Sequence, residues 1–125
     1  MSAIIKKLIP IRDQNAAALS GAGTTYSYEY YAFNVFMQGI FYLNVTAITG
    51  SATPTLTVTI QELDEQLDPN AAGSWHDLAP AFTAVTATGK QRIIINPIGM
   101  RLRAKYVITG TSPAFTFTVT GVGIA

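Results

Sequence analysis

Cysteine is absent from the 125 residues. That removes disulfides, thiolate zinc sites, iron–sulfur clusters and a thiol nucleophile. Histidine occurs once, at position 76, so an imidazole metal site or triad would rest on a single side chain. Charge is scarce as well: 12% of residues are charged, against roughly 25% in ordinary soluble domains. The net charge of +1 lacks the basic excess of a nucleic-acid binder. No apolar run is long enough to read as a membrane span. The charge-free stretches between Glu29 and Glu62 and after Lys105 are broken by Thr, Asn, Gly and Pro. Lys6 and Lys7 interrupt the apolar start, so no export signal is read there. No ten-residue stretch carries helical periodicity.

What replaces the charges is threonine, sixteen in all. It alternates with apolar residues at period 2, the spacing of a half-buried strand. Phe41, Leu43, Val45 and Ala47 alternate with Tyr42, Asn44, Thr46 and Ile48. Leu56, Val58 and Ile60 alternate with Thr55, Thr57 and Thr59. Leu102, Ala104, Tyr106 and Ile108 form one face, and Arg101, Arg103 and Lys105 the other. Phe115, Phe117 and Val119 alternate with Thr116, Thr118 and Thr120. Threonine is β-branched and polar and suits the wet face of a sheet covered on one side.

Residues 48–59 and 108–119 form a weak internal repeat: strand, Gly/Pro turn, strand. Each copy reads as a hairpin, with 43–47 facing 56–60 and 104–108 facing 115–119. Further strands are expected at Tyr28–Phe36, Ser74–Leu78, Phe82–Thr86 and Arg92–Asn96. The fold class is therefore all-β: an antiparallel, jelly-roll-like β-sandwich of about eight strands with an extended N-terminal arm. Length allows one domain. Residues 1–25 read as arm and linker and residues 26–125 as the sandwich.

Candidate chemistry is thin. His76 reads as a surface or boundary strand residue, and no Ser-His-Asp spacing places Asp77 or Asp64 beside it. Glu62, Asp64, Glu65, Asp68 and Asn70 could offer oxygen to calcium. They lack the grammar of a dedicated loop and read as a solvated acidic loop. Trp75 reads as a core residue beside a turn. Arg101, Arg103 and Lys105, with Lys90 and Arg92 adjacent, form a basic stripe. It serves either an acidic partner or the protection of a sheet edge. Tyr26, Tyr28, Tyr30 and Tyr31 crowd the entry to the first expected strand, where exposed rings suit an interface or a sugar platform. No catalytic residue, cofactor site or metal site is assigned, and the chain reads as a non-enzyme.

Six segments carry a family resemblance: Phe41–Ala47, Thr55–Glu62, Ser74–Leu78, Thr86–Arg92, Leu102–Tyr106 and Thr109–Val119. In this order the chain resembles small all-β virion proteins of tailed bacteriophages, of which some related proteins decorate or cement capsids. The resemblance covers about residues 28–120. It implies a capsid decoration protein that oligomerises, with a trimer favoured, and stabilises the lattice of a major capsid protein. It implies a place on the virion surface after synthesis in the host cytoplasm, with no nucleic-acid or membrane partner. The arm is expected to supply partner contacts through Ile4, Ile5, Lys6, Lys7, Leu8, Ile9, Ile11 and Arg12. The other outcome is that it folds back as an edge strand. Tyr26, Tyr28, Tyr30, Arg101, Arg103 and Lys105 are the further interface candidates. The rival class is a tail- or fibre-associated module binding cell-surface carbohydrate, which would need Tyr26, Tyr28 and Trp75 exposed together.

Overall fold

Two long strands organise the molecule. In this computed structural model, which describes residues 6–13, 15–31 and 38–124 (the backbone alone for Lys6 and Lys7), eight antiparallel strands form one continuous sheet. The strands are β1 (Lys6–Arg12), β2 (Leu19–Ser20), β3 (Gly23–Tyr26), β4 (Tyr30–Tyr31), β5 (Gln38–Leu63), β6 (Trp75–Asp77), β7 (Gly89–Ile95) and β8 (Arg101–Ile124). One short 3-10 turn, Ala72–Ser74, precedes β6. No helix among the described residues is long and apolar enough to cross a membrane.

β5 and β8 pair with each other along nearly their whole length. Gln38–Val45 lies against Phe117–Ile124, and Thr55–Glu62 lies against Leu102–Thr109. The two expected hairpins are therefore not formed. Each half of one repeat pairs with the opposite half of the other. The faces are those the alternation indicates, because Leu43 and Val45 share a core with Leu56, Val58 and Ile60; only the hydrogen-bonded partners differ. Ala47 is the exception and is exposed. A register shift between Val45 and Ala47 turns it out of the core.

The sheet folds over where the repeats cross. Gly50 (φ +118°) and Gly110 (φ +123°) take up backbone conformations that L side chains rarely adopt. They meet reciprocally: a Cβ on Gly50 would lie 2.8 Å from Pro113 Cα, and one on Gly110 would lie 3.0 Å from Pro54 Cα. The result is a sandwich whose two layers share both long strands. The first layer runs β1, the C-terminal half of β8, the N-terminal half of β5, then β7. The second runs β3 and β4, the N-terminal half of β8, the C-terminal half of β5, then β6. Tyr106 of the second layer meets Phe117 of the first edge-to-face, with ring centroids 5.1 Å apart.

The core fills the space between the layers: Phe41, Leu56, Ile60, Leu102, Phe115, Phe117 and their neighbours are essentially inaccessible. Phe41 lies over a gap left by Gly39 and Gly121, and a Cβ on Gly121 would come within 2.8 Å of its ring. Gly121→Ala is therefore expected to overpack the core and cost about 1–3 kcal/mol, read as a lower urea midpoint at unchanged slope.

The N-terminal segment departs from expectation. Residues 6–12 are not a protruding arm but β1, paired with Val119–Ile124 of β8. Ile9 and Ile11 sit in the core at 0% and 8% exposure, because they alternate with Leu8 and Pro10 and so share the inward face of the strand. β2 and β3 also pair with β8, so the part of the sheet that this chain builds begins within residues 1–25. Of the expected strand Tyr28–Phe36 only Tyr30–Tyr31 is paired, and residues 32–37 lie outside the described residues. Phe82–Thr86 is a loop that meets the sheet through the bridge of Val85 to Leu56, through Thr83 backbone bonds to the Gln91 side chain of β7, and through Phe82 in the core.

Candidate functional site

The basic stripe on β8 is engaged within the chain, two of its three cations by carboxylates. Arg103, on the outer side of the second layer, is only 9% exposed. Its guanidinium lies between the rings of Tyr26 (3.8 Å) and Trp75 (4.2 Å). Its Nε donates to Gln61 Oε1 at 2.8 Å, and Gln61 Nε2 donates to Asp77 Oδ1 at 2.7 Å. Lys105 Nζ reaches both Asp77 oxygens at 3.2 Å. Arg101 stands 3.5 Å from Glu29 and 4.5 Å from the Tyr31 ring. The Gln61 hydrogen bond holds the Asp77 carboxyl below its usual range; partial burial opposes this, and Lys105 assists. Burial lowers the Arg103 guanidinium, and Tyr26 and Glu29 offset part of that. A stripe so largely engaged by its own chain offers an acidic partner little, although Arg101 Nε is buried without a hydrogen-bond partner.

Trp75 is buried, as expected, yet it lies outside the central core. Beside Leu63 it forms a small cluster on the outer side of the second layer. It is roofed by the loop 64–74, and its Nε1 donates to the Pro69 carbonyl at 2.9 Å. At 6% exposure it cannot join Tyr26 and Tyr28 in an open sugar platform. Tyr28 is 93% exposed, and the Tyr30 hydroxyl donates to the Leu8 carbonyl, tying β4 to β1.

The acidic loop projects from the same end. Asp64 and Asp68 cap their own turns, accepting from the backbone N–H groups of Gln66 and Asn70. Asp64 stands 3.7 Å from His76, whose side chain is exposed. Among the described residues no group of three His, Asp or Glu side chains is placed to hold a metal ion. Leu67 stands 47% exposed within this loop.

A cleft of about 720 Å³ opens on the side where β1 and β3 are the edges of the two layers. Ile11, Arg12, Asp13, Tyr26, Tyr28 and Tyr106 are among its walls. Arg12 is held there: Nε donates to the Phe117 carbonyl at 3.2 Å, a second nitrogen donates to the Ala17 carbonyl, and the guanidinium covers the Phe117 ring at 4.4 Å. The arm position expected to contact a partner is thus engaged in its own chain. Burial pushes the Tyr106 hydroxyl up to about 12, with Arg12 and Ser27 pulling the other way. The unfolded chain ionises its tyrosine near pH 10, so this group's share of stability is complete below about pH 10 and is lost as pH rises toward 12. Tyr106→Phe is expected to flatten that alkaline loss, which unfolding midpoints measured from pH 8 to pH 11 would show.

The outer side of the first layer carries the feature that alternation alone did not reveal. Register brings Leu8, Val122, Ile40 and Ile94 into one row across β1, β8, β5 and β7. Leu8 is 61% and Ile94 47% exposed, and Tyr42, in the next row with Pro10, Thr120 and Arg92, is 41% exposed. The row after that is Thr118, Asn44 and Lys90. The signal for this row was in the even-numbered residues of 8, 40, 94 and 122, but it becomes legible only once the strand order is known. Ile4 and Ile5, also named as contacts, lie outside the described residues.

Fold and surfaces together define an antiparallel β-sandwich whose distinctive features are broad sheet faces. No family model matches the chain, and no curated protein matches it in sequence. Solved structures do share its fold. The crystal structure of SPBc2 prophage-derived protein YomS aligns over 100% of this chain and 97% of that one, with 11% identity and a TM-score of 0.52. A chain in the structure of infectious bursal disease virus, Gx strain, aligns over 98% of this chain with 13% identity and a TM-score of 0.58. The present chain spans 33% of that one. At these identities the likeness is one of fold.

Proposed function

We propose that this chain is a structural protein of a virus particle, and specifically a decoration protein that oligomerises on the lattice of a major capsid protein and stabilises it. The observation that carries the reading is the fold, matched over essentially the full chain by a prophage-derived protein and by a chain of a virus structure. The surface suits the role. Threonine and apolar residues predominate in the outward rows of the first layer, with Lys90 and Arg92 at its β7 edge, and a surface so poor in ions desolvates at lower cost on packing. Such a protein needs no catalytic group, works on the outside of the virion after synthesis in the host cytoplasm, and takes protein as its partner.

The test is imaging of the particle that contains the chain. Density for this sandwich repeated on the outer shell at lattice positions is the expected result; density confined to the tail overturns the decoration role. A carbohydrate-binding role on a tail or fibre has one observation in its favour, the cleft beside Tyr26 and Tyr28. It has one against it, the burial of Trp75. Chemical-shift changes at Tyr26 and Tyr28 on titration with host-surface glycans would favour it over decoration.

A further inference from the structure

The few charges of this chain divide into those used internally and those left over. Arg12, Arg101, Arg103 and Lys105 are engaged by groups of their own chain. Lys90 and Arg92 on β7 are exposed and have no ion-pair partner among the described residues. Arg92 stands in the row beside the apolar row Leu8–Val122–Ile40–Ile94 and Lys90 in the row after it, and the register rows they occupy hold no acidic residue. The leftover negative charge is gathered elsewhere. Asp64, Glu65 and Asp68 flank the exposed Leu67, and among the described residues no cation other than His76 pairs with them. This loop roofs Trp75 on the outer side of the second layer. The two patches therefore lie on opposite faces of the sandwich, and a chain's own loop cannot cover its own row.

We propose that the acidic loop of one copy docks on the outer face of the first layer of the next copy. Leu67 enters the apolar row beside Ile94 and Tyr42, and Glu65 and its acidic neighbours meet Lys90 and Arg92. The complement is in chemistry as well as sign: an apolar knob ringed by carboxylates meets an apolar row bordered by cations. A face-to-face pairing of two first layers is disfavoured, because the rows that would meet hold no carboxylate for Lys90 and Arg92. The contact joins different patches, so it is heterologous. It closes into a ring if the rotation between copies allows, and otherwise propagates. This inference rests on the oligomeric structural role proposed above and supplies its contact.

The test is charge reversal with rescue, read by sedimentation of the purified full chain. Wild type is expected to assemble at about 100 μM, a concentration at which even a contact of roughly 10 μM affinity is formed. Lys90→Glu/Arg92→Glu and Glu65→Lys/Gln66→Lys are each expected to weaken assembly by at least about tenfold. Neither changes a core residue or a turn cap, and circular dichroism confirms that each is folded. The chain carrying all four substitutions sets new loop cations beside Leu67 against the new carboxylates of β7, with Asp64 and Asp68 still in the loop, and is expected to recover part of the lost assembly. A monomeric wild type, assembly indifferent to either reversal, or folded variants that the fourfold change fails to rescue each overturn the contact. Particle binding is measured separately on the same variants. A monomeric variant that still binds capsids leaves the decoration role standing, and an assembling wild type that binds no particle sinks that role without touching the contact.

Discussion

Gly50→Ala is expected to destabilise the fold by about 3 kcal/mol, well beyond the usual loss for alanine at a surface turn. Two costs combine. The residue sits at φ +118°, where a side chain is strained whatever the space. In addition, its Cβ would stand 2.8 Å from Pro113 Cα and 2.9 Å from the Ser112 carbonyl, both backbone atoms that cannot swing aside. Gly110→Ala is expected to cost somewhat less, about 2 kcal/mol, because its nearest contact is Pro54 Cα at 3.0 Å. The double substitution should be sub-additive, since once the crossing has opened for one Cβ the other meets less resistance. Urea unfolding midpoints of the three variants measure all of this. The result bears on topology. In a pair of separate hairpins Gly50 would be a free loop tip, and alanine there would cost only about 1 kcal/mol. A small, strictly additive effect would therefore contradict the exchanged pairing of β5 with β8.

Why the repeat was visible and its pairing was not follows from what alternation encodes. A period of 2 says which residues share a face, and Phe41, Leu43 and Val45 with Leu56, Val58 and Ile60 do share the core. It does not say which strand lies alongside. Val45 set opposite Phe117, as observed, satisfies face parity as well as Val45 across a hairpin does. The Gly-to-Pro segments are equally ambiguous, since a glycine at positive φ serves a tight hairpin and a strand crossing alike. The surface sites fared according to the same logic. Alternation sets Arg103 and Lys105 on one outward face, but their partners Trp75, Gln61 and Asp77 arrive from β5 and β6, which no local pattern links to β8. The acidic loop was legible because its turn caps, Asp64 and Asp68, act on residues two positions away. The row Leu8–Val122–Ile40–Ile94 draws one residue from each of four distant strands and exists only at the level of strand order.

Ile9→Ala, finally, is expected to lower stability by about 3 kcal/mol, and deletion of residues 2–12 to abolish the folded state. Ile9 is wholly buried and packs in the core with Phe41 and Phe117, so its truncation leaves a cavity and not merely a lost surface contact. Deletion removes Ile9 and Ile11 together, strips the outer ladder from Val119–Ile124 and withdraws the Arg12 guanidinium from Phe117. The combined loss rivals the whole stability of an ordinary domain, about 5–15 kcal/mol. Thermal unfolding in the Lys90→Glu/Arg92→Glu background, which removes the proposed head-to-tail contact, separates two origins of that loss. If β1 belongs to its own sheet, the fall in Tm for Ile9→Ala is the same across a hundredfold dilution. If β1 were exchanged between copies, Tm would fall with dilution even for the parent chain. The outcome also governs how particle-binding experiments are read. A chain lacking residues 2–12 that fails to bind a capsid would report a missing core strand, whereas Leu8→Ser, which alters an exposed member of the apolar row, tests the surface while leaving Ile9 and Ile11 in place.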